Sequence, residues 1–451
     1  MTSTAQAFIE RRLEAIRRRN LFRQVTPLDH GTAPWIIIGE RRLLNLSSNN
    51  YLGLADHPRL KEAAIAAVRD YGCGTGASRL ITGTTPLHEQ LEQRLAAFKG
   101  CEQALLFSSG YHANMGVISS LVGPRDVILS DELNHASIID GSRLSGAECK
   151  IHPHRDTIVL AQRLEELDNS GHRGLRLVVT DSVFSMDGDV APLAEIALLC
   201  ERYDALLVVD EAHATGCLGP SGRGLVAELG NTFVSGKAPA SRSAQGPHRT
   251  SQATPDPYEN PTRSVGVGGA EGSGGDLAPT LLGFVPTPMI ISVNTLSKAF
   301  GVIGAFVTGS SLLKEFLTNV ARQFIFTTAL PPADVAASLA ALDVLEEDPE
   351  LPLRLQQKAT FLRTGLRTLG FQTLASETQI IPLLIGDSVQ ALQMAQALRE
   401  HGVYAVAIRP PSVPMGAARI RFTVMASHTG EDLAFALEVA EKVGKQIGVI
   451  E

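Results

Sequence analysis

Short apolar runs, separated by amphipathic stretches of helix length, recur from about residue 56 to 322, and this alternation most limits what the chain can fold into. The runs lie at 104–108, 126–130, 175–181, 205–210 and 289–294, with helical patterns such as 86–98 and 192–203 between them. Strands alternating with helices of that length build βαβ units, so the expected fold class is α/β with a mostly parallel sheet. Ligands of such sheets bind beyond the carboxyl ends of the strands. The run 205–210 ends in Asp210, followed by Glu211, Ala212 and His213; Asp181 and Asn294 hold equivalent positions.

Just past the last run, Asn294-Thr295-Leu296-Ser297-Lys298-Ala299-Phe300-Gly301 sets one lysine among small and hydroxyl residues. An acid on a buried strand and a lysine in a crowded polar loop are what pyridoxal 5′-phosphate requires. Lys298 would form a Schiff base with the aldehyde, and Asp210 would keep the pyridine nitrogen protonated so that the ring can absorb electrons. Such a lysine is useful only when burial or nearby positive charge lowers its pKa. His213 is in reach of the cofactor's phenolic oxygen. Ser108-Ser109-Gly110-Tyr111-His112 follows a run and opens a helix, a seat for a phosphate. His135 is a candidate to lie over the ring face and Ser185 to donate a hydrogen bond.

Arg409 and Arg421 are candidates to fix a substrate carboxylate, since the guanidinium fork binds it bidentately; spacing leaves open which one faces inward. Asp-Glu-Ala-His also matches a helicase motif by letters. That reading needs a G-x-x-x-x-G-K-[ST] loop, and the nearest stretch, from Gly230 to Lys237-Ala238, is one residue too long and ends in alanine.

The 451 residues allow two domains. The expected divisions are an N-terminal helix and hairpin segment (1–55), a large cofactor-binding domain (56–330) and an α+β C-terminal domain (331–451). A low-complexity insertion at about 230–276, rich in Gly, Ser, Pro, Thr and Arg, interrupts the second. A net charge of −7 argues against a nucleic-acid surface. No apolar stretch approaches the roughly 20 residues that span a bilayer, so no membrane is expected. The basic N-terminal stretch carries Phe8, Leu13, Ile16 and Leu21 at helical spacing, and it lacks the apolar core of a signal peptide. The 5 cysteines are scattered and form no C-x-x-C pair, which fits a reduced, cytoplasmic protein with neither zinc site nor disulfide framework.

Several segments together resemble the α-oxoamine synthases, a fold-type I group of pyridoxal phosphate enzymes, over nearly the whole chain. They are Asn49-Asn50-Tyr51-Leu52-Gly53-Leu54, Gly74-Thr75-Gly76-Ala77-Ser78-Arg79, Ser185-Met186-Asp187-Gly188-Asp189, Asp210 to His213, Thr295 to Gly301, and Phe326-Thr327-Thr328. The resemblance implies decarboxylative condensation of an amino acid with an acyl thioester. It also implies a homodimer with the site at the subunit interface, where Thr327 or Thr328 would reach the neighbour's phosphate. It assigns Gly110, Tyr111, Ser185, His213 and Thr295 to the cofactor, with His135 stacked on its ring. Arg421 matches the carboxylate-binding arginine, and Arg23, Asn49, Arg409 and Ser412 fall at substrate contacts. The segment 407–421 looks most like members that join L-alanine to a pimeloyl thioester, carried by coenzyme A or a carrier protein. The alternative is a sister member using glycine or serine with another acyl-CoA. Two departures stand out: the insertion lengthens the Asp210-to-Lys298 spacing, and Phe326-Thr327-Thr328 replaces the more usual Tyr-Ser-Thr.

Overall fold

The computed structural model describes residues 4–18, 21–23, 25–29, 33–229 and 289–451; the expected insertion at about 230–276 lies outside the described residues. The N-terminal helix forms over Thr4–Arg18 with no buried residue. The expected hairpin follows as β1 (Trp35–Ile38) and β2 (Arg41–Asn45), joined through Gly39 at a positive φ of 60°.

The central sheet is built from β3 (Gln103–Phe107), β4 (Val127–Asp131), β5 (Glu148–His152), β6 (Arg176–Asp181), β7 (Leu206–Asp210), β8 (Ile290–Thr295) and β9 (Ala305–Gly309). Their order is β3-β9-β8-β7-β6-β4-β5. Strands β4 to β8 pair in parallel, whereas β9 runs antiparallel to both neighbours. Every expected run is a strand, shifted by a residue or so. Two further strands fall outside that pattern. At the edge, β5 is Glu-Cys-Lys-Ile-His, mostly out of the core, and β9 returns directly behind the Lys298 loop with no helix before it.

The alternation of side chains along a strand decides what each strand end presents. Val179, Val208, Ile291 and Val293 pack on one face, against Ala113, Val117 and Ile118 of helix Gly110–Leu121 and Leu313 and Leu317 of helix Ser311–Val320. Leu129, Val178, Leu207 and Val209 pack on the other, against helices Thr157–Asn169 and Leu193–Arg202. Two steps beyond their first-face partners, Asp181, Asp210 and Thr295 therefore emerge on the Gly110–Leu121 side. Asp131, two steps beyond Leu129, emerges on the other.

From Pro332 the chain builds helices Pro332–Glu347, Leu351–Thr368, Ser388–Glu400 and Gly430–Ile447 around a small antiparallel sheet. In it, β13 (Ala418–Thr423) lies between β10 (Ile380–Gly386) and β12 (Val406–Ile408). A short strand, β11 (Val403–Tyr404), instead pairs in parallel with β2. The indole of Trp35 also donates to Asp432 at 2.8 Å, the acid of the capping box that opens the last helix. The N-terminal hairpin is thus fastened to the C-terminal unit. One apolar cluster runs from Leu44 and Leu91 through Leu342 to Ile420 and Val443, so the two large parts share a core.

Candidate active site

Three strand ends and one loop converge beyond the carboxyl edge of the central sheet. Asp210 and Asp181 sit opposite each other in the β6–β7 register, both buried. Asp210 Oδ2 accepts from Asn114 Nδ2 at 2.6 Å, and its Oδ1 accepts from the Ala212 amide at 2.8 Å. Asp181 Oδ2 accepts from the His135 amide at 2.7 Å. Burial, then the neighbouring Asp210 charge, raises the Asp181 pKa well above the usual carboxylate range. The sequence reading placed Asp181 at a strand end and gave it no role. The structure makes it the second acid of the site.

Lys298 follows β8 in a tight loop. Gly301, at a φ of 70°, closes that loop, because a Cβ there would collide with the Ala55 backbone. Lys298 Nζ lies 3.0 Å from His213 Nε2. Burial lowers the lysine's pKa to about 8; Asp210 and Asp181 oppose that shift and Arg421 adds to it. Burial also holds His213 well below its ordinary value, reinforced by the charges of Lys298, Arg421 and His135. His213 is a neutral imidazole here. His135 is exposed, with Nδ1 2.7 Å from Ser137 Oγ, and desolvation by the surrounding protein lowers its pKa.

Gly110 begins its helix after Ser109, whose hydroxyl accepts from the His112 amide at 3.2 Å. A side chain at Gly110 would touch Thr295, with Cβ 3.7 Å away. The helix N-terminus and Thr295 thus face one small space. Thr295 Oγ1 lies 2.7 Å from Ser297 Oγ and donates to the Gly304 carbonyl at 3.0 Å. Tyr111 is partly exposed, and its hydroxyl donates to Asp140.

On β13, Arg419 and Arg421 point the same way and grip one loop. Arg421 Nε donates to the Ser185 carbonyl at 2.6 Å, and Arg419 Nη1 pairs with Asp187 at 2.6 Å and bonds the Met186 carbonyl at 3.1 Å. Ser185 thus contributes its carbonyl to the frame. Arg421 also donates to Asn49 Oδ1 at 3.2 and 3.3 Å and to the Tyr51 hydroxyl at 3.3 Å. Arg409 lies outside this group, in electrostatic range of exposed Arg23, and burial and then the Arg23 charge lower its pKa. Ser412 is exposed and its amide donates to the Arg409 carbonyl at 3.1 Å. Asn49 and Arg421 are brought together with Lys298, whereas Arg23, Arg409 and Ser412 form a separate outer group.

The same loop is held from its far side by a buried ion cluster that the sequence did not reveal. His154 lies 3.0 Å from Asp131 and 2.9 Å from Asp189, with its ring edge-on to Phe184. Burial alone would lower the pKa of His154, yet the bonds to Asp131 and Asp189 outweigh it and lift it to about 9. Arg155 joins Asp189 at 3.1 Å, and the Glu132 carboxylate takes the His154 amide. A raised folded-state pKa means the stabilisation is complete below about pH 6.5 and is lost as pH rises through about 9. Thermal midpoints of wild type and His154→Gln should therefore differ most just below about pH 6.5 and converge above about pH 9. A constant gap would show that the charge of His154 contributes nothing.

The donors assembled here suit pyridoxal phosphate. They comprise an amine of lowered pKa, a buried carboxylate on a strand end, a neutral imidazole, and a helix N-terminus lined by hydroxyls. Among the described residues, no group of His, Cys, Asp or Glu could hold a metal ion.

Comparison with known proteins agrees with this chemistry. The profile of the family "Aminotransferase class I and II" matches residues 41–236 and 266–439. An 8-amino-7-oxononanoate synthase of Citrifermentans bemidjiense is 41% identical over 447 residues, covering 99% of this chain and 100% of that protein. A solved serine palmitoyltransferase, "SPT with PLP internal aldimine", superposes with a TM-score of 0.80 at 29% identity, covering 98% of each chain. The 8-amino-7-oxononanoate synthase of Francisella tularensis gives a TM-score of 0.66 at 26% identity, covering 90% of this chain and 98% of that one. The chain belongs to the class I and II aminotransferase family, as a fold-type I enzyme of the α-oxoamine synthase group with pyridoxal phosphate as its cofactor.

Proposed function

We propose that this enzyme condenses L-alanine with a pimeloyl thioester, on coenzyme A or a carrier protein, releasing the thiol and carbon dioxide and forming 8-amino-7-oxononanoate for biotin synthesis. The observation that carries the reading is the Lys298–His213–Tyr51–Arg421 group. It sets a carboxylate-binding fork and an amine of lowered pKa on one connected frame. Identity of 41% over essentially the full length of an 8-amino-7-oxononanoate synthase supports the choice of substrates. Backbone likeness is higher to serine palmitoyltransferase, which favours a sister synthase as the second reading. Substrate choice resides in side chains rather than in backbone shape, so the greater sequence identity decides.

Bound pyridoxal phosphate supplies an aldehyde that links to amines and a ring that accepts the electron pair released at Cα. The residues supply the rest. Arg421 would hold the alanine carboxylate and so orient the substrate for loss of the Cα proton. Lys298 Nζ takes the Cα proton and later returns one, a task suited to an amine with a pKa of about 8. Asp210 keeps the ring nitrogen protonated, and Asn114 holds Asp210 in place at 2.6 Å. The N-terminus at Gly110, with Thr295, would hold the phosphate, His213 would bond the phenolic oxygen, and His135 would pack on the ring. Arg23, Arg409 and Ser412, grouped outside the Lys298 pocket, meet the thioester. The active species is a cytoplasmic homodimer; no described helix is long and apolar enough to cross a membrane.

Thiol release tests this. The cofactor-loaded protein is offered L-alanine, glycine and L-serine, each with acetyl-, succinyl-, pimeloyl- and palmitoyl-CoA. Turnover confined to alanine with pimeloyl-CoA is expected, and preference for another pair would move the enzyme to a sister activity.

A further inference from the structure

Among the described residues, the Tyr51 hydroxyl is the group that touches both the Arg421 guanidinium and the His213 ring. Tyr51 is fully buried, and its Oη lies 2.7 Å from His213 Nδ1, 3.1 Å from Asn49 Oδ1 and 3.3 Å from Arg421 Nη2. His213 Nε2 in turn lies 3.0 Å from Lys298 Nζ. The chain of contacts therefore runs from the carboxylate-binding fork to the reactive amine without a gap.

Counting protons along it separates the two charge states of Lys298. Arg421 only donates, and a neutral imidazole carries one ring proton. When Lys298 is an ammonium it can only donate to Nε2; the ring proton then sits on Nδ1 and points at Tyr51, whose own proton goes to Asn49 Oδ1. When Lys298 is neutral, its lone pair becomes an acceptor and the ring proton can move to Nε2. Nδ1 is then an acceptor, and the tyrosine proton turns from Asn49 to His213. Only a hydroxyl, both donor and acceptor, satisfies the two states.

We propose that Tyr51 is a positioning residue that matches the tautomer of His213 to the charge of Lys298, and so couples the lysine's proton to the anion site at Arg421. The inference rests on Lys298 and His213 sharing one site, and it holds for any amino-acid or thioester substrate. The charged and titratable groups facing this chain are Asp210 from β7, Asp181 from β6, Arg421 from β13, His135 after β4, and Cys217. Burial raises the Tyr51 pKa far above its ordinary value, so its hydroxyl keeps its proton while Lys298 titrates.

The test is ¹⁵N NMR of the His213 ring in the full-length protein without cofactor, across the titration of Lys298. In wild type the proton should pass from Nδ1 to Nε2 as the lysine loses its charge, near pH 8. Tyr51→Phe keeps the ring and deletes only the hydroxyl. With nothing to accept from Nδ1–H, the charged lysine state is disfavoured, and the Lys298 titration should move down by about one unit. The visible band of the cofactor-loaded variant should show an altered pH midpoint, which a merely space-filling role would not produce. A single His213 tautomer throughout the wild-type titration, or an unmoved lysine titration in Tyr51→Phe, overturns the proposal. Because no substrate enters these readings, a wrong assignment of alanine or pimeloyl would leave them untouched.

Discussion

Lys298→Ala should retain pyridoxal phosphate non-covalently, lose the visible band of the lysine Schiff base, and turn over at least about 10³-fold more slowly. A well-placed acid–base group alone contributes roughly 10²–10⁴-fold, and here the same amine is also the covalent anchor. The variant should still fold. Among the described residues its side chain bonds His213, while the loop's shape rests on the Gly301-to-Lys298 backbone bond at 3.0 Å and on buried Ala299 and Phe300. Its pKa is lowered from 10.5 to about 8, so the folded chain binds the lysine proton less tightly than the unfolded chain does. The sign follows: cofactor-free wild type gains stability as pH rises from about 8 to about 10.5, and the variant lacks that rise. At neutral pH the cofactor-free variant should melt no lower than wild type. A normal Schiff-base spectrum in Lys298→Ala would refute the assignment, and a collapsed melting point would mean the lysine is structural.

The parts of this site carried by strand ends were legible because two periodicities coincide there. A parallel strand buried on both faces reads as a continuous apolar run, and its last polar residue marks the edge where ligands bind. Asp210 ends such a run and Lys298 lies in the loop just past the next one, and the structure brings them together across the β7–β8 pair. The choice between Arg409 and Arg421 was not legible from spacing. It depends on β13 being central while β12 pairs on one side only, which places Arg421 over the Ser185 loop. The role of Tyr51 was hidden for another reason. Its partner His213 is 162 residues away in sequence, and nothing local distinguishes a buried tyrosine that relays a proton from one that fills space. The edge strand β5 lacked the apolar run that would have announced it. Lys99 was hidden most completely. A lysine in the last turn of a helix reads as a solvated charge complementing the helix dipole, yet it is buried against Glu211.

That pair carries the largest expected stability effect. Lys99 Nζ lies 2.6 Å from Glu211 Oε2, with both side chains almost wholly inaccessible. Glu211 also accepts from Ser292 Oγ at 2.9 Å and from the Val226 amide at 2.9 Å, while Lys99 reaches Thr215 Oγ1 at 3.2 Å. Lys99→Ala removes the cation and leaves a carboxylate sealed from water, a change that costs about 3–5 kcal/mol in comparable buried pairs. Against a typical total of about 5–15 kcal/mol, that is a large fraction of the stability, so the denaturant midpoint should fall markedly. The double variant Lys99→Met with Glu211→Leu removes both charges and keeps the volume filled. It should recover most of the loss, short of full recovery because Ser292 and Val226 still lose an acceptor. Denaturant midpoints of wild type, Lys99→Met, Glu211→Leu and the double variant close the cycle, with Lys99→Ala measured beside them; a double variant no better than Lys99→Met would show that volume and hydrogen bonds, rather than the stranded charge, set the cost. Function should follow the same order. Glu211 directly succeeds Asp210, so a chain that shifts to expose the stranded carboxylate also displaces Asp210, the acid proposed to hold the proton of the ring nitrogen. Weakened pyridoxal phosphate affinity should therefore accompany the lost stability in Lys99→Ala and be largely restored in the double variant.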